Sequence, residues 1–174
     1  MIDSARVALA ETMDDAELRS VMERFANEFN EYRSRLPAIP YAYSRTRLLV
    51  TPRYEVVAMQ WSPGATSPIH DHGRSRCWVL MLEGTLEVEN YRRECEAATD
   101  PIGLRETGRI VLRPGDVDYR VGPHELHRVT NPATQSAFSL QLYAEPIARY
   151  TVVDAHTLAS RVVDAVCDLD ITAD

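Results

Sequence analysis

The period of the hydrophobic positions changes near residue 40. Before it, Leu18, Val21, Met22, Phe25, Phe29 and Tyr32 recur three and four residues apart, which predicts an amphipathic helix over about Asp14 to Leu36. Asp14, with Glu17 three residues on, can cap its first turn, and Pro37 and Pro40 end it. Beyond Tyr41 the runs are short and apolar or alternating. Tyr43 to Val50, Tyr54 to Trp61, Cys77 to Leu82, Thr85 to Tyr91, Gly108 to Leu112, His127 to Thr130 and Ala137 to Tyr143 read as strands. Glu83-Gly84 is a hairpin signal, and Arg113-Pro114-Gly115-Asp116 is a turn by composition. Many short strands at this spacing predict an all-β fold, a sandwich or small barrel. Near the end, Leu158, Val162 and Val166 on one face predict a short helix over about His156 to Cys167.

Composition adds bounds rather than detail. At 174 residues with no Pro/Gly/Ser-rich linker, the chain reads as a single domain, 1–174. Within it fall a helical segment of about 14–36, a barrel of about 41–146 and a C-terminal helix of about 156–167. A hydrophobic content of 45% and a charged content of 26% are those of an ordinary soluble protein. A net charge of −7 speaks against nucleic acid as a partner, because a phosphate backbone would be repelled. The first residues lack a basic and apolar leader, and no apolar run is of membrane length, so no membrane partner and a cytoplasmic location are expected. Cys77, Cys95 and Cys167 are odd in number and lack zinc-type spacing, which argues against a disulfide framework.

Candidate chemistry concentrates in Gly64 to Gly84, GATSPIHDHGRSRCWVLMLEG. In an extended chain His70 and His72 share a face, so both can reach one metal ion, while Asp71 between them points away. Two imidazoles hold a first-row metal poorly, and a third ligand has to come from elsewhere. His124 and His127 are the candidates. Their odd separation puts them on opposite faces of a strand; His127 begins the more strand-like run, whereas His124 follows Pro123 in a loop.

These residues resemble a known pattern. Gly64, five residues, His70-x-His72, four residues, Cys77, six residues and Gly84 resemble the first cupin motif, with Cys77 where most cupins place a metal-binding glutamate. His127, three residues and Asn131 resemble the end of the second cupin motif. The cysteine narrows the resemblance to cysteine dioxygenase and related thiol dioxygenases, over roughly Tyr43 to Tyr143. That family implies a cupin-type small β-barrel holding Fe(2+) on three neutral histidines, here His70, His72 and His127, with dioxygen as co-substrate. It implies a small thiol or carboxylate as partner, L-cysteine oxidised to its sulfinic acid being the leading case.

Further roles follow from the resemblance position by position. Cys77 and Tyr143 stand where the family forms a thioether bond. Arg45 matches its carboxylate-binding arginine, with Tyr43 on the same strand face and Arg47 as a rival on that face. Ser139, Gln141 and Tyr143 occupy a strand face that carries serine, histidine and tyrosine in the family, so Gln141 replaces the histidine. Glutamine can hold Tyr143 by a hydrogen bond but cannot exchange a proton near neutral pH. Downstream, Tyr143-Ala144-Glu145-Pro146 replaces the familiar Tyr-Ser-Pro and brings a carboxylate toward the pocket mouth. Two other readings stand beside this one. They are a cupin oxygenase acting on a different small carboxylate, such as 3-mercaptopropionate or a non-thiol, and a zinc-bound or metal-free cupin binding module, since three histidines also suit zinc.

Overall fold

The computed structural model describes residues 15–34, 36, 41–94 and 103–172. The expected cap at Asp14, the side chains of Leu18 and Tyr32, and Cys95 lie outside what is described. The expected helix is present as two pieces, α1 (Asp15–Asn27) and α2 (Phe29–Arg33), with a turn at Glu28 between them. Val21, Met22 and Phe25 are buried, as the apolar stripe requires. Among the described residues no helix is long and apolar enough to cross a membrane.

Among the described residues twelve strands follow: β1 (Tyr43–Val50), β2 (Tyr54–Trp61), β3 (Ile69–His70), β4 (Arg76–Glu83), β5 (Leu86–Glu94), β6 (Gly103–Leu112), β7 (Val117–Val121), β8 (Glu125–Thr130), β9 (Ala137–Ala144), β10 (Arg149–Val153), β11 (Ser160–Asp164) and β12 (Leu169–Asp170). They form two six-stranded sheets rather than one continuously closed barrel. The first runs β12-β1-β2-β9-β4-β7 and the second β11-β10-β3-β8-β5-β6.

The first sheet is covered on both sides. On its outer face Leu48, Val56, Ala58, Trp78, Leu80, Leu140 and Leu142 pack with Val21, Met22 and Phe25 of α1. On its inner face Val57, Met59, Trp61, Cys77, Val79 and Met81 pack with Leu86, Val88, Leu112 and Val129 of the second sheet. Period-two alternation therefore sorts β9 between two interiors. Leu140 and Leu142 face the helices, while Ser139, Gln141 and Tyr143 face the second sheet. All eight residues of β9 are buried.

The expected C-terminal helix is instead a hairpin of β10 and β11, paired from Arg149↔Asp164 to Val153↔Ser160. Its loop is built by Asp154, whose Oδ1 accepts from the His156 and Thr157 amides at 2.9 and 2.8 Å. Leu158 has φ 58, a left-handed conformation that a helix interior does not contain. Val162 and Val166 are exposed, so the residues spaced like a helix face share no buried one. The β-branched run in Arg161-Val162-Val163 suits the strand it forms.

Two tight features bring the motif segments together. Gly84 turns β4 into β5 at φ 83, and a Cβ there would meet that of Ala137 at 2.9 Å, so glycine is required for both reasons. Asn131, fully buried, ties the end of β8 to the start of the histidine segment. Its side-chain amide donates to the carbonyls of Trp61, Ser62 and Gln135 at 2.8–3.1 Å. Its backbone bonds Ala65 and Gly64 at 2.8 and 3.0 Å. Replacing Asn131 by alanine removes the donor shared by three carbonyls, the buried one of Trp61 among them. We expect a stability loss of about 2–4 kcal/mol in urea unfolding with little change in slope.

Candidate metal centre

His70 closes the two-residue strand β3 and lies in register with His127 of β8. His72 stands two residues beyond His70, after the buried Asp71. The second sheet thus delivers all three imidazoles to the inner space, facing Tyr143 of the first sheet, whose ring lies 5.7 Å from that of His72. Among the described residues these three form the group able to hold a metal, with ligand atoms all within 4.8 Å of one another.

Their hydrogen bonds fit a cation. His70 Nδ1 sits 2.9 Å from the Pro68 carbonyl, which only accepts, so Nδ1 carries the proton and Nε2 is left as a bare lone pair. His127 Nε2 points at that lone pair from 3.2 Å. The Nδ1 atoms of His72 and His127 are buried without a partner. Burial, opposed by the Pro68 bond and reinforced by Arg45, brings the His70 pKa down to about 4. His72 and His127 are held well below the ordinary histidine range, first by burial and then by neighbouring histidine and arginine charges. Three neutral imidazoles are the form in which histidine binds a transition metal.

Asp71 turns away from the histidines. Its Oδ1 accepts from the Gly73 and Thr151 amides at 3.0 and 2.8 Å, and its Oδ2 lies 3.7 Å from Arg93. Gly73 makes the turn after His72 at φ 60, where a Cβ would press on the Arg149 carbonyl at 2.9 Å.

The first sheet supplies the opposite wall. Tyr43 and Arg45 alternate on β1 and line the same cavity as the histidines, about 30 Å³ in volume, together with Trp61, Gln141, Tyr143 and Tyr150. A space this size admits only a compact molecule. A larger groove of about 330 Å³ lies under α1, on the far face of the first sheet from the histidines. Arg45 Nε and Nη2 are buried with no hydrogen-bond partner, and its guanidinium sits 5.6 Å above the Tyr143 ring. Arg47, its rival, is committed elsewhere: Nε donates to Glu55 at 2.8 Å and Nη1 to Asp170 at 2.9 Å. Two free N–H donors of a guanidinium inside a small cavity have the chemistry to hold an anion.

Cys77 and Tyr143 are register partners on β4 and β9, both buried. Burial pushes both groups well above their ordinary ranges, and a hydrogen bond between them partly offsets this for Cys77. Tyr143 donates its hydroxyl proton to Gln141 Oε1. Ser139, on the same face, accepts from Trp61 Nε1 at 3.1 Å, and Trp61 packs on Tyr43 with ring centres 5.0 Å apart. His124 is exposed in a turn, and Glu145 lines a separate surface groove with Arg53, Arg74 and Arg76 rather than the histidine cavity.

The sequence reading passed over four neighbours of this centre. Tyr150 of β10 lies 5.8 Å from the His70 ring, and Trp61 completes the wall beside Tyr43. Glu55 is fully buried opposite Tyr143. Arg120, buried beside Cys77, is paired to Asp118 at 2.7–2.8 Å. A charge inside an otherwise apolar strand, as in Tyr54-Glu55-Val56-Val57, was the available signal for Glu55.

Comparisons agree with this architecture. The human and zebrafish proteins named cysteine dioxygenase type 1 are 29% and 26% identical over 145 and 155 residues. Those alignments cover 81% and 85% of this chain, and 70% and 74% of the relatives. Among solved structures, a Thermus thermophilus protein aligns with TM-score 0.51 and 18% identity, over 66% of this chain and 93% of that one. A cupin-superfamily sugar phosphate isomerase from Silicibacter pomeroyi aligns with TM-score 0.51 and 20% identity, over 71% and 72%. These two speak for the cupin fold alone. The profile of the family described as cysteine dioxygenase type I matches residues 6–156, most of the chain. The chain belongs to the cysteine dioxygenase type I family and is an enzyme of the non-haem iron dioxygenase class.

Proposed function

We propose that this protein is an iron-dependent thiol dioxygenase that oxidises a small thiol carboxylic acid, L-cysteine first among them, to the sulfinic acid. The observation that carries the proposal is the pairing of two features in one cavity: three neutral histidines on one wall and, on the other, the Arg45 guanidinium with its Nε and Nη2 donors free. A small molecule with a thiol at one end and a carboxylate at the other answers both.

In this reading His70, His72 and His127 hold Fe(2+). The bound iron supplies the redox chemistry by which both atoms of dioxygen are added to the substrate sulfur. Because the three ligands are neutral, the site keeps the full charge of the ion and favours the thiolate over the thiol. Arg45 takes the carboxylate through two parallel N–H bonds, fixing orientation as well as charge. Tyr43 assists from the same strand face. Tyr143 borders the space between Arg45 and His72, with its proton directed to Gln141. Gln141 orients that hydroxyl without a titrating imidazole, and Ser139 holds the Trp61 ring that backs Tyr43. Cys77, beside Tyr143 in register, is placed for the thioether bond.

Three outcomes are expected. Protein from iron-replete cells carries iron and consumes oxygen with L-cysteine, and with less preference for 3-mercaptopropionate. Chelation or His127→Ala abolishes both signals, whereas zinc as the bound metal with no thiol-dependent uptake would overturn the proposal. Intact mass falls, in part of the population after turnover, by the two hydrogens lost from the S–H and the ring C–H; Cys77→Ala and Tyr143→Phe lack the change. Metal-free protein melts at progressively lower temperature as acidity rises. The folded His70 pKa, about 4, lies below the ordinary histidine value of 6.5, so the unfolded chain takes up protons first. Stability from this group is therefore complete above pH 6.5 and lost as pH falls toward 4.

A further inference from the structure

Glu55 is fully buried between the sheets, in register with Tyr143. A carboxylate in that position demands a cation, since leaving one partner of a buried ion pair alone is strongly unfavourable. Two guanidiniums stand within its neighbourhood, on alternate residues of β1. Arg47 takes the carboxylate, donating Nε to Oε1 at 2.8 Å. The Ile147 amide donates to Oε2 at 3.3 Å, and the Cys167 thiol approaches Oε1 at 3.8 Å. Arg45 takes none of it, and its Nε and Nη2 remain without partners.

The separation between Arg45 and Glu55 is thin. Cys167 lies against both, so a single thiol stands between the buried Glu55 carboxylate and a guanidinium that keeps two donors without partners. What prevents their union is that Glu55 is already occupied and that both arginines are fixed from behind. The Arg45 backbone is clamped by Asp168, its N–H donating to Oδ2 at 2.7 Å and its carbonyl accepting from the Asp168 amide at 2.8 Å. Arg47 is in register with Asp170 on β12 and donates Nη1 to its Oδ2 at 2.9 Å. The segment that supplies Cys167, Asp168 and Asp170 lies beyond residues 6–156, the span shared with the family.

We propose that Arg47 is a positioning residue: by holding the buried Glu55 carboxylate, it keeps Arg45 open for the carboxylate of the substrate. The proposal rests on Arg45 being the carboxylate site. Without Arg47, Glu55 turns to Arg45 and competes with substrate there. The defect is therefore specific to ligands that carry a carboxylate, and it is relieved by discharging Glu55.

The test is equilibrium binding to iron-loaded protein without oxygen, by calorimetry, comparing L-cysteine with cysteamine, which lacks only the carboxylate. Arg45→Met sets the reference and removes the preference for L-cysteine. Arg47→Met is expected to weaken L-cysteine about tenfold while leaving cysteamine within about twofold, and Arg47→Met with Glu55→Gln to return L-cysteine to within about threefold of the parent. If Arg47→Met binds L-cysteine normally, or the double variant shows no recovery, the guarding role is overturned while Arg45 keeps its assignment. If the parent protein shows no dependence on the carboxylate, or Arg45→Met keeps the parent's preference for L-cysteine, both fall. Should Arg47→Met fail to fold in a melting scan, Glu55→Gln alone decides: binding of L-cysteine at least as tight as the parent supports the role, and weaker binding overturns it.

Discussion

Because β9 has the helices on one side and the second sheet on the other, every polar side chain on it must find its partner inside the protein. That requirement organises the centre. Ser139 is answered by Trp61 and Tyr143 by Gln141, so the wall opposite the histidines is a chain of satisfied groups on a rigid strand. The same alternation that points Leu140 and Leu142 into the helical layer points these three at the metal site. Packing on one face thereby holds chemistry on the other.

Charge inside the sandwich is unevenly matched. Arg47 has Glu55, Arg120 has Asp118, and Asp71 has two amides and Arg93. Arg45 keeps two donors, Nε and Nη2, without a partner. Arginine cannot shed its proton as a buried lysine would, so its charge persists in the cavity. The histidines, kept neutral by burial, add no further positive charge to it.

The parts of this molecule legible in the sequence were those dictated by short-range pattern. The strands β1, β2, β4 and β9 are apolar enough to announce themselves, and β5 and β8 nearly so. β7, with Asp118 and Arg120 at alternate positions, gives no apolar strand pattern because its inward side chains are a charged pair that satisfy each other within the strand. The first half of β6 reads the same way because it lies exposed at a sheet edge. The terminal hairpin reads as a helix in the sequence because Leu158, Val162 and Val166 mimic a period their backbone does not have. In the centre, the histidine pair and the choice of His127 over His124 followed from spacing and strand character. The choice between Arg45 and Arg47 did not, since they share a strand face and differ only in which one Glu55 and Asp170 claim from distant segments.

The two flanks of the first sheet have a consequence for how this protein meets others of its kind. A strand edge with free amides and carbonyls is a template for another chain. On one flank β12, only two residues long, lies parallel on β1 and leaves little ladder to extend. On the other, β7 turns its charged pair inward, a known deterrent to strand addition, since a newcomer in register would have to cover them. The first sheet thus offers another strand little to pair with at either described edge.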